Sequence, residues 1–315
     1  MLFQNRKSIS RWARVTSFLA AILLSPKVSL GCDICGCGIG NLTNGLGQIN
    51  ALQRKYALLE HNQIKFSHPT GSSFDVINRT QINYSWRLNK SSKWQLMAGI
   101  PLVQISRHLV YDNVATFRKT SVGDVLVSGT YTAFDNRGKT LSDAWKSVLQ
   151  LQVSTFLPTG HYQTRDPELL QLPMHLQPGT GAWQGVLGAQ WLLSHQNWGF
   201  SLSSQYQTAG KNENKYQFGD VIQGSMGILY RLRKTPSQSI VIQMGSKGRI
   251  IAANEQYGNM VSHTGGRSNS VFFQADCVVK RTYIRGLMEV PIQQSFSTEA
   301  PKLQQQVQFA LGYLW

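Results

Sequence analysis

The clearest chemistry in the chain lies in three cysteines close together, Cys32, Cys35 and Cys37, in the stretch CDICGCGIGN. A Cys-x-x-Cys pair can offer thiolates to a soft ion such as Cu(I) or Zn(II). In an oxidising compartment it can instead close to a disulfide. Haem attachment needs His after the second cysteine, and Gly36 stands there. The nearest downstream histidine is His61, so a complete zinc site would need distant ligands or a second chain. Cys32 directly follows Gly31, as in a lipoprotein site, although Ser29 stands where such sites prefer Leu. Three fates stay open for the cluster: disulfide or inert thiols, a copper or zinc site, and lipidation of Cys32.

Elsewhere reactive groups are sparse. His68, His108, His161, His175 and His263 fall in or beside expected loops and read as scattered polar residues. Cys277 shares the phase of Val271, Phe273, Ala275 and Val279 and reads as a lipid-facing hydrophobe. No Ser- or Asp-centred nucleophile has a partner His in a recognisable motif, so no enzyme is expected.

The segment before the cysteines explains where they would be delivered. Arg6 to Arg14 is a basic stretch, Val15 to Leu24 is apolar, and Ser29-Leu30-Gly31 puts small residues at the two positions a signal peptidase reads. A membrane-spanning helix needs about 20 apolar residues, and this run is too short. Residues 1–31 are therefore expected to be a signal peptide. Residues 32–53 form a Cys/Gly-rich periplasmic segment, a candidate plug, and residues 54–315 form the body.

That body reads as β-strand throughout. In Gln306 to Trp315 the residues Val307, Phe309, Leu311, Tyr313 and Trp315 alternate with Gln306, Gln308, Ala310, Gly312 and Leu314. Similar alternation gives twelve strands, beginning near Lys55, Asn78, Lys93, Val122, Trp145, Ala182, Asn197, Gly219, Gln238, Asn269, Thr282 and Leu303. The first is the poorest, because Glu60 and Asn62 interrupt its apolar set. Gaps after odd strands are long and those after even strands mostly short. Outer-membrane barrels show this alternation of outer loops and periplasmic turns, and a soluble sandwich has no reason for it. The fold expected is an all-β, antiparallel up-and-down transmembrane barrel in the bacterial outer membrane. An even strand count puts both termini in the periplasm. Phe309, Tyr313 and Trp315 form the C-terminal assembly signal, to be read by the barrel-assembly machinery.

Strand phase then assigns a lumen lined by Arg87, Asp124, Gln150, Gln152, Gln190, Gln205, Arg231, Asp276, Arg285 and Glu289. Their mixed signs predict a polar filter and not a strong charge selector. Twelve strands lie between eight, whose interior side chains fill, and sixteen, which leave an open channel, so the lumen should be narrow. Composition agrees: hydrophobic residues are 42% and charged residues only 15% of 315, which suits strands with one lipid-facing and one neutral polar face. Removing Arg6, Lys7, Arg11, Arg14 and Lys27 from a formal +16 leaves +11. The basic residues are scattered and show no aromatic-interleaved run, so nucleic acid is not an expected partner. Outer-membrane lipid, lipopolysaccharide and small solutes are.

Two passages also carry a family resemblance. One is SVGDVLVSGTY, Ser121 to Tyr131. The other is FLPTGHY, Phe156 to Tyr162, followed by QPGTGAWQG, Gln177 to Gly185. A Gly-Asp opener, a Leu-Pro-Thr-Gly strand end and a Gly-Thr-Gly resemble, in that order, the bacterial outer-membrane family named after the meta-pathway of phenol degradation. The resemblance implies an outer-membrane barrel with an uptake or channel role and supplies no catalytic residue. The reading reached is a channel for small solutes, with a copper-type metal-handling or structural envelope barrel as the alternative.

Overall fold

The computed structural model describes residues 55–68, 73–88, 93–109, 115–137, 145–165, 174–235, 238–296 and 300–315. The expected signal peptide and the segment with Cys32, Cys35 and Cys37 lie outside these. The strands are β1 (Tyr56–Ser67), β2 (Ser73–Arg87), β3 (Trp94–Leu109), β4 (Ala115–Val122), β5 (Val125–Asp135), β6 (Lys146–Leu157), β7 (Gln184–His195) and β8 (Trp198–Ala209). They continue as β9 (Tyr216–Gln217), β10 (Val221–Thr235), β11 (Gln238–Ile251), β12 (Glu255–Gln256), β13 (Asn259–Met260), β14 (Gly266–Val279), β15 (Thr282–Ser295) and β16 (Lys302–Leu314). Thirteen of them make one antiparallel sheet, and β1 closes it by pairing with both β2 and β16. β3 pairs with β4 at Leu102↔Val122 and with β5 at Gly99↔Leu126, so β4 and β5 are one stave broken at Gly123-Asp124. The result is a closed barrel of twelve staves. Short β9, β12 and β13 form a separate small sheet in the loops. Among the described residues no helix is long and apolar enough to cross a membrane; strands provide the crossing.

Ten of the twelve expected starts fall within three residues of the observed ones. The second stave begins at Ser73, ahead of Asn78, and the fourth at Ala115, ahead of Val122. Both misplaced starts hide behind charge. Asp75 looks like a loop residue until Arg107 and His68 hold it, at 2.9 and 2.7 Å. Arg118-Lys119 looks like a loop until Phe117 packs against the interior.

Alternation decides which face each residue takes. Phe309 is 59% and Leu311 55% exposed on the outside of β16, while Gln306 and Gln308 are buried inside. The same outward set recurs around the barrel as Leu151, Val153, Leu187, Leu202, Met226, Ile228, Met244, Phe273 and Met288. So large an apolar surface is stable only against lipid. Aromatic pairs ring the end where the chain enters and leaves, here the terminal end: Trp94 with Tyr131, Tyr84 and Tyr313 with Trp315, and Trp198 with Tyr230. Cys277 sits in the outward phase of β14. On β1 to β4 the outward belt carries a polar row. Gln63 donates to Asn78 at 3.0 Å, Asn78 to Gln104 at 3.5 Å, and Gln104 to Thr120 at 3.3 Å. Mutual bonding lowers the cost of holding amides outside.

At the opposite, loop end the interior is apolar. Ile64, Phe66, Ile77, Val103 and Ile105 on β1, β2 and β3 enclose Leu176, from a single 3-10 turn (Met174–Leu176), together with Phe296, Ala300 and Leu303. The apolar set of β1 that Glu60 and Asn62 interrupt thus faces inward, against a loop that folds into the barrel mouth.

Candidate functional site: the barrel interior

The inward faces divide into two walls. From β5 to β8 the inward side chains are mostly neutral and bond to one another. Gln152 Nε2 donates to Ser128 Oγ at 2.9 Å and to Ser154 Oγ at 3.2 Å, and Ser154 Oγ donates to Ser128 Oγ at 2.9 Å. Gln150 Nε2 donates to Thr132 Oγ1 at 3.3 Å, and Gln207 Nε2 donates to Gln184 Oε1 at 2.6 Å. Gln190 pairs in register with Gln150 and Ser203, and Gln205 is buried beside them on β8. β10 continues this wall with Gln223 and ends it with half-buried Arg231.

From β11 through β16 to β2 the wall is ionic. Lys247 Nζ lies 2.7 Å from Glu289 Oε2, and Arg249 Nη2 lies 4.0 Å from Glu289 Oε1. Arg249 Nε also donates to Gln223 Oε1 at 3.2 Å. Asp276 accepts from Arg285 Nε at 2.7 Å, from Gln274 Nε2 at 2.6 Å and from the Tyr283 hydroxyl. These pairs are buried, and removing one partner would strand a charge. Glu60 on β1 is in register with Gln81 on β2 and with Ala310 on β16, and Asn62 is in register with Arg79. Arg87 is half-buried near the terminal end of β2. Expectation from sequence missed Glu60, Arg79, Lys247 and Arg249. Including them, Arg79, Arg87, Arg231, Lys247, Arg249 and Arg285 share the inward faces with Glu60, Asp75, Asp124, Asp276 and Glu289.

The structure gives Asp124 a task apart from both walls. Its Oδ1 accepts from Gly160 N at 2.9 Å, and its Oδ2 accepts from Thr180 N at 2.9 Å and Thr180 Oγ1 at 2.7 Å. Val125 N donates to Thr159 Oγ1 at 3.0 Å, and Gly179 N donates to His161 O at 2.9 Å. The Gly-Asp, Leu-Pro-Thr-Gly and Gly-Thr-Gly passages therefore meet in one knot at the stave break. Its glycines are there because backbones touch: a Cβ on Gly179 would stand 2.5 Å from the Gly160 carbonyl carbon. Gly181 has φ +67 and lies under the Tyr162 ring. Tyr162 Oη donates to Glu213 Oε2 at 2.6 Å, and that carboxylate raises the phenol above its usual pKa. The knot anchors both ends of the loop that carries Leu176.

Phe309, Tyr313 and Trp315 all face outward, and Trp315 N donates to Lys55 O at 3.0 Å across the closing seam. His68 is tied to Asp75 and His108 stacks on Phe74. Among the described residues no three His, Cys, Asp or Glu side chains converge as metal ligands; the cysteine cluster lies outside them.

An antiparallel twelve-stave barrel with an apolar exterior and a polar, ionic interior defines a transmembrane β-barrel of the outer-membrane type. Within that class the chain belongs to the family described as "Putative MetA-pathway of phenol degradation", whose model matches residues 63–248. The fold is similar to the crystal structure of an outer membrane channel from Pseudomonas putida F1, with a TM-score of 0.60 and 12% identity over 83% of this chain and 95% of that one. It is also similar to the beta domain of the Bordetella autotransporter BrkA, with a TM-score of 0.50 and 6% identity over 83% of this chain and 100% of that one. No curated protein sequence matches the chain.

Proposed function

We propose that this protein is an outer-membrane channel that passes small solutes through a narrow polar lumen. The observation that carries the reading is its inverted polarity: Leu151 and Val153 are exposed outside on β6 while Gln150, Gln152 and Ser154 are buried inside. A soluble protein would have no use for that arrangement. Both termini face the periplasm, since long loops belong outside and short turns inside. Phe309, Tyr313 and Trp315 serve the assembly machinery. Leu176 and its loop narrow the outer mouth, and the Asp124 knot holds that loop in register. The P. putida protein is a channel by its own description, which supports a transport role over a catalytic one.

Planar-bilayer recordings test the reading. Discrete conductance steps are expected from the wild type, with larger steps from Leu176→Asp, which drives the 3-10 turn out of its apolar seat. Silence from both proteins, each shown folded by heat-modifiable gel mobility, would rule the channel out.

A further inference from the structure

On β1 to β4 the outward face loses its apolar character toward the loop end. Lys65, Val76, Ser106 and Arg118 stand in one row across the four strands, in mutual register. One outward position nearer the terminal end, Gln63, Asn78, Gln104 and Thr120 form a second row. His61 and Thr80 follow on β1 and β2, bonded to each other at 2.9 Å. Exposed Leu59, Ile82, Ile100, Leu102 and Val122 come next. Lys302 on β16, in register with Ser67, adds another exposed cation. Among the described residues, the outward positions of β16 and β1 to β4 hold no Asp or Glu. The far side of the barrel differs. There exposed Ile222 and Ile250 stand one residue from the loop ends of β10 and β11, so the apolar belt runs to the rim. On β1 to β4 the corresponding stretch of strand is polar and cationic.

We propose that this face docks the phosphorylated glycolipid of the outer leaflet, lipopolysaccharide, through its lipid anchor. Lys65 and Arg118 lie three strands apart, about 14 Å, with Val76 and buried Ser106 as the floor between them. Each cation takes one phosphate of a bisphosphorylated sugar headgroup, and the Arg118 guanidinium does so through paired N–H groups. The second row meets the layer beneath. Its bonds from Gln63 to Asn78, to Gln104 and to Thr120 use one N–H of each amide. The other N–H of each amide, the Gln63 carbonyl and the Thr120 hydroxyl proton are left over, and leaving them against hydrocarbon is costly. The hydroxyl and amide groups that join acyl chains to the sugar supply their partners, and the chains themselves lie on Leu59, Ile82 and Ile100. A phospholipid brings one phosphate and only ester carbonyls, so it satisfies one cation and leaves most of the row unmet. A second copy of this chain would set like charges against Lys65 and Arg118. The site rests on the proposed orientation with loops outside, and it needs no conductance.

The test is native mass spectrometry of the full mature barrel in detergent, with bisphosphorylated lipid A as the probe and phosphatidylglycerol as the competitor. The wild type should retain lipid A in several-fold preference. Lys65→Gln/Arg118→Gln, two surface changes that leave the interior untouched, should weaken retention by about tenfold. Gln104→Leu, which interrupts the amide row and alters no charge, should weaken it several-fold. Arg267→Gln, an exposed cation on β14 across the barrel, should leave it unchanged. Equal retention of the two lipids, equal retention by the wild type and the double variant, or an equal loss from Arg267→Gln overturns the inference. So does a two-barrel species that Gln104→Leu dissolves, which would give the face to a second copy. An epitope inserted after Gly258, in the loop sheet, checks the orientation separately. Labelling on intact cells supports the site, and labelling only after permeabilisation overturns the orientation and the site together. A barrel that binds lipid A and never conducts overturns the channel reading alone.

Discussion

The two interior walls solve the same problem with different chemistry. Both must satisfy polar side chains inside a barrel. From β5 to β8, Ser128, Gln152 and Ser154 do so with short neutral bonds among themselves. From β11 to β2, Lys247 with Glu289 and Arg285 with Asp276 do so with charge. Even the inward acid at the edge of the neutral wall follows the local rule. Asp124 is matched by backbone N–H groups and a hydroxyl, with no cation among its bonds. The difference teaches where stability resides. A neutral network is forgiving, because losing one member leaves dipoles that water can satisfy. An ionic pair is not, because losing one member strands a charge.

The largest expected effect breaks the ionic wall. Lys247→Met should destabilise the barrel by about 3–5 kcal/mol, because it leaves Glu289 buried with its ion pair broken and Arg249 4.0 Å away. The double variant Lys247→Met/Glu289→Leu should recover most of the loss. Urea unfolding in lipid vesicles measures both. Equal instability of the single and double variants would mean that shape, and not charge, governs that wall.

Next come charges added to the neutral side of the barrel. Lys at Leu151, which faces outward, should cost about 2–4 kcal/mol near mid-bilayer. Lys at the adjacent Gln152, which faces inward, should cost far less and should shift the reversal potential of the proposed channel toward chloride. Refolding titrations and bilayer recordings read the two effects separately. A comparable cost at both positions would erase the distinction between the faces.

How much of this was legible in the sequence follows from side-chain size. On β16 and β6 the outward residues are large and apolar, so the phase is read directly, and Gln150 and Gln152 lie buried on the opposite face. On β11 Ser246 and Gly248 interrupt the outward apolar stripe between Met244 and Ile250. The gap falls beside Lys247 and Arg249 and hides their phase. β1 misleads in another way: its apolar residues Leu58, Ile64 and Phe66 point inward, and Ile64 and Phe66 receive a loop. Asp124 is buried in the inward phase, but its partners lie 36 and 56 residues away. No local pattern could reveal that the three resemblance motifs meet at one carboxylate.

A smaller effect is expected at that carboxylate. Asp124→Asn keeps the shape but weakens charge-assisted bonds to Gly160 and Thr180, at a cost of about 1.5–3 kcal/mol. Because the knot anchors the loop holding Leu176, the variant should be cleaved faster within residues 158–183 under limited proteolysis, while its far-UV spectrum stays that of a full barrel. Unchanged cleavage would separate the knot from the loop.

The smallest effect belongs to the neutral wall itself. Ser154 donates to Ser128 and accepts from Gln152, so Ser154→Ala removes two bonds at once. Each such neutral bond contributes only about 0.5–1.5 kcal/mol net. Gln152 keeps its bond to Ser128 at 2.9 Å, and the new methyl strands no charge. The net loss should therefore stay near the value of a single bond, about 1 kcal/mol. The change alters no charge, so the reversal potential under a KCl gradient should match the wild type even as the unfolding midpoint falls slightly. A shift in selectivity from this substitution would show that the hydroxyl row contacts the permeating ion directly. The neutral wall would then have to be counted as part of the permeation path.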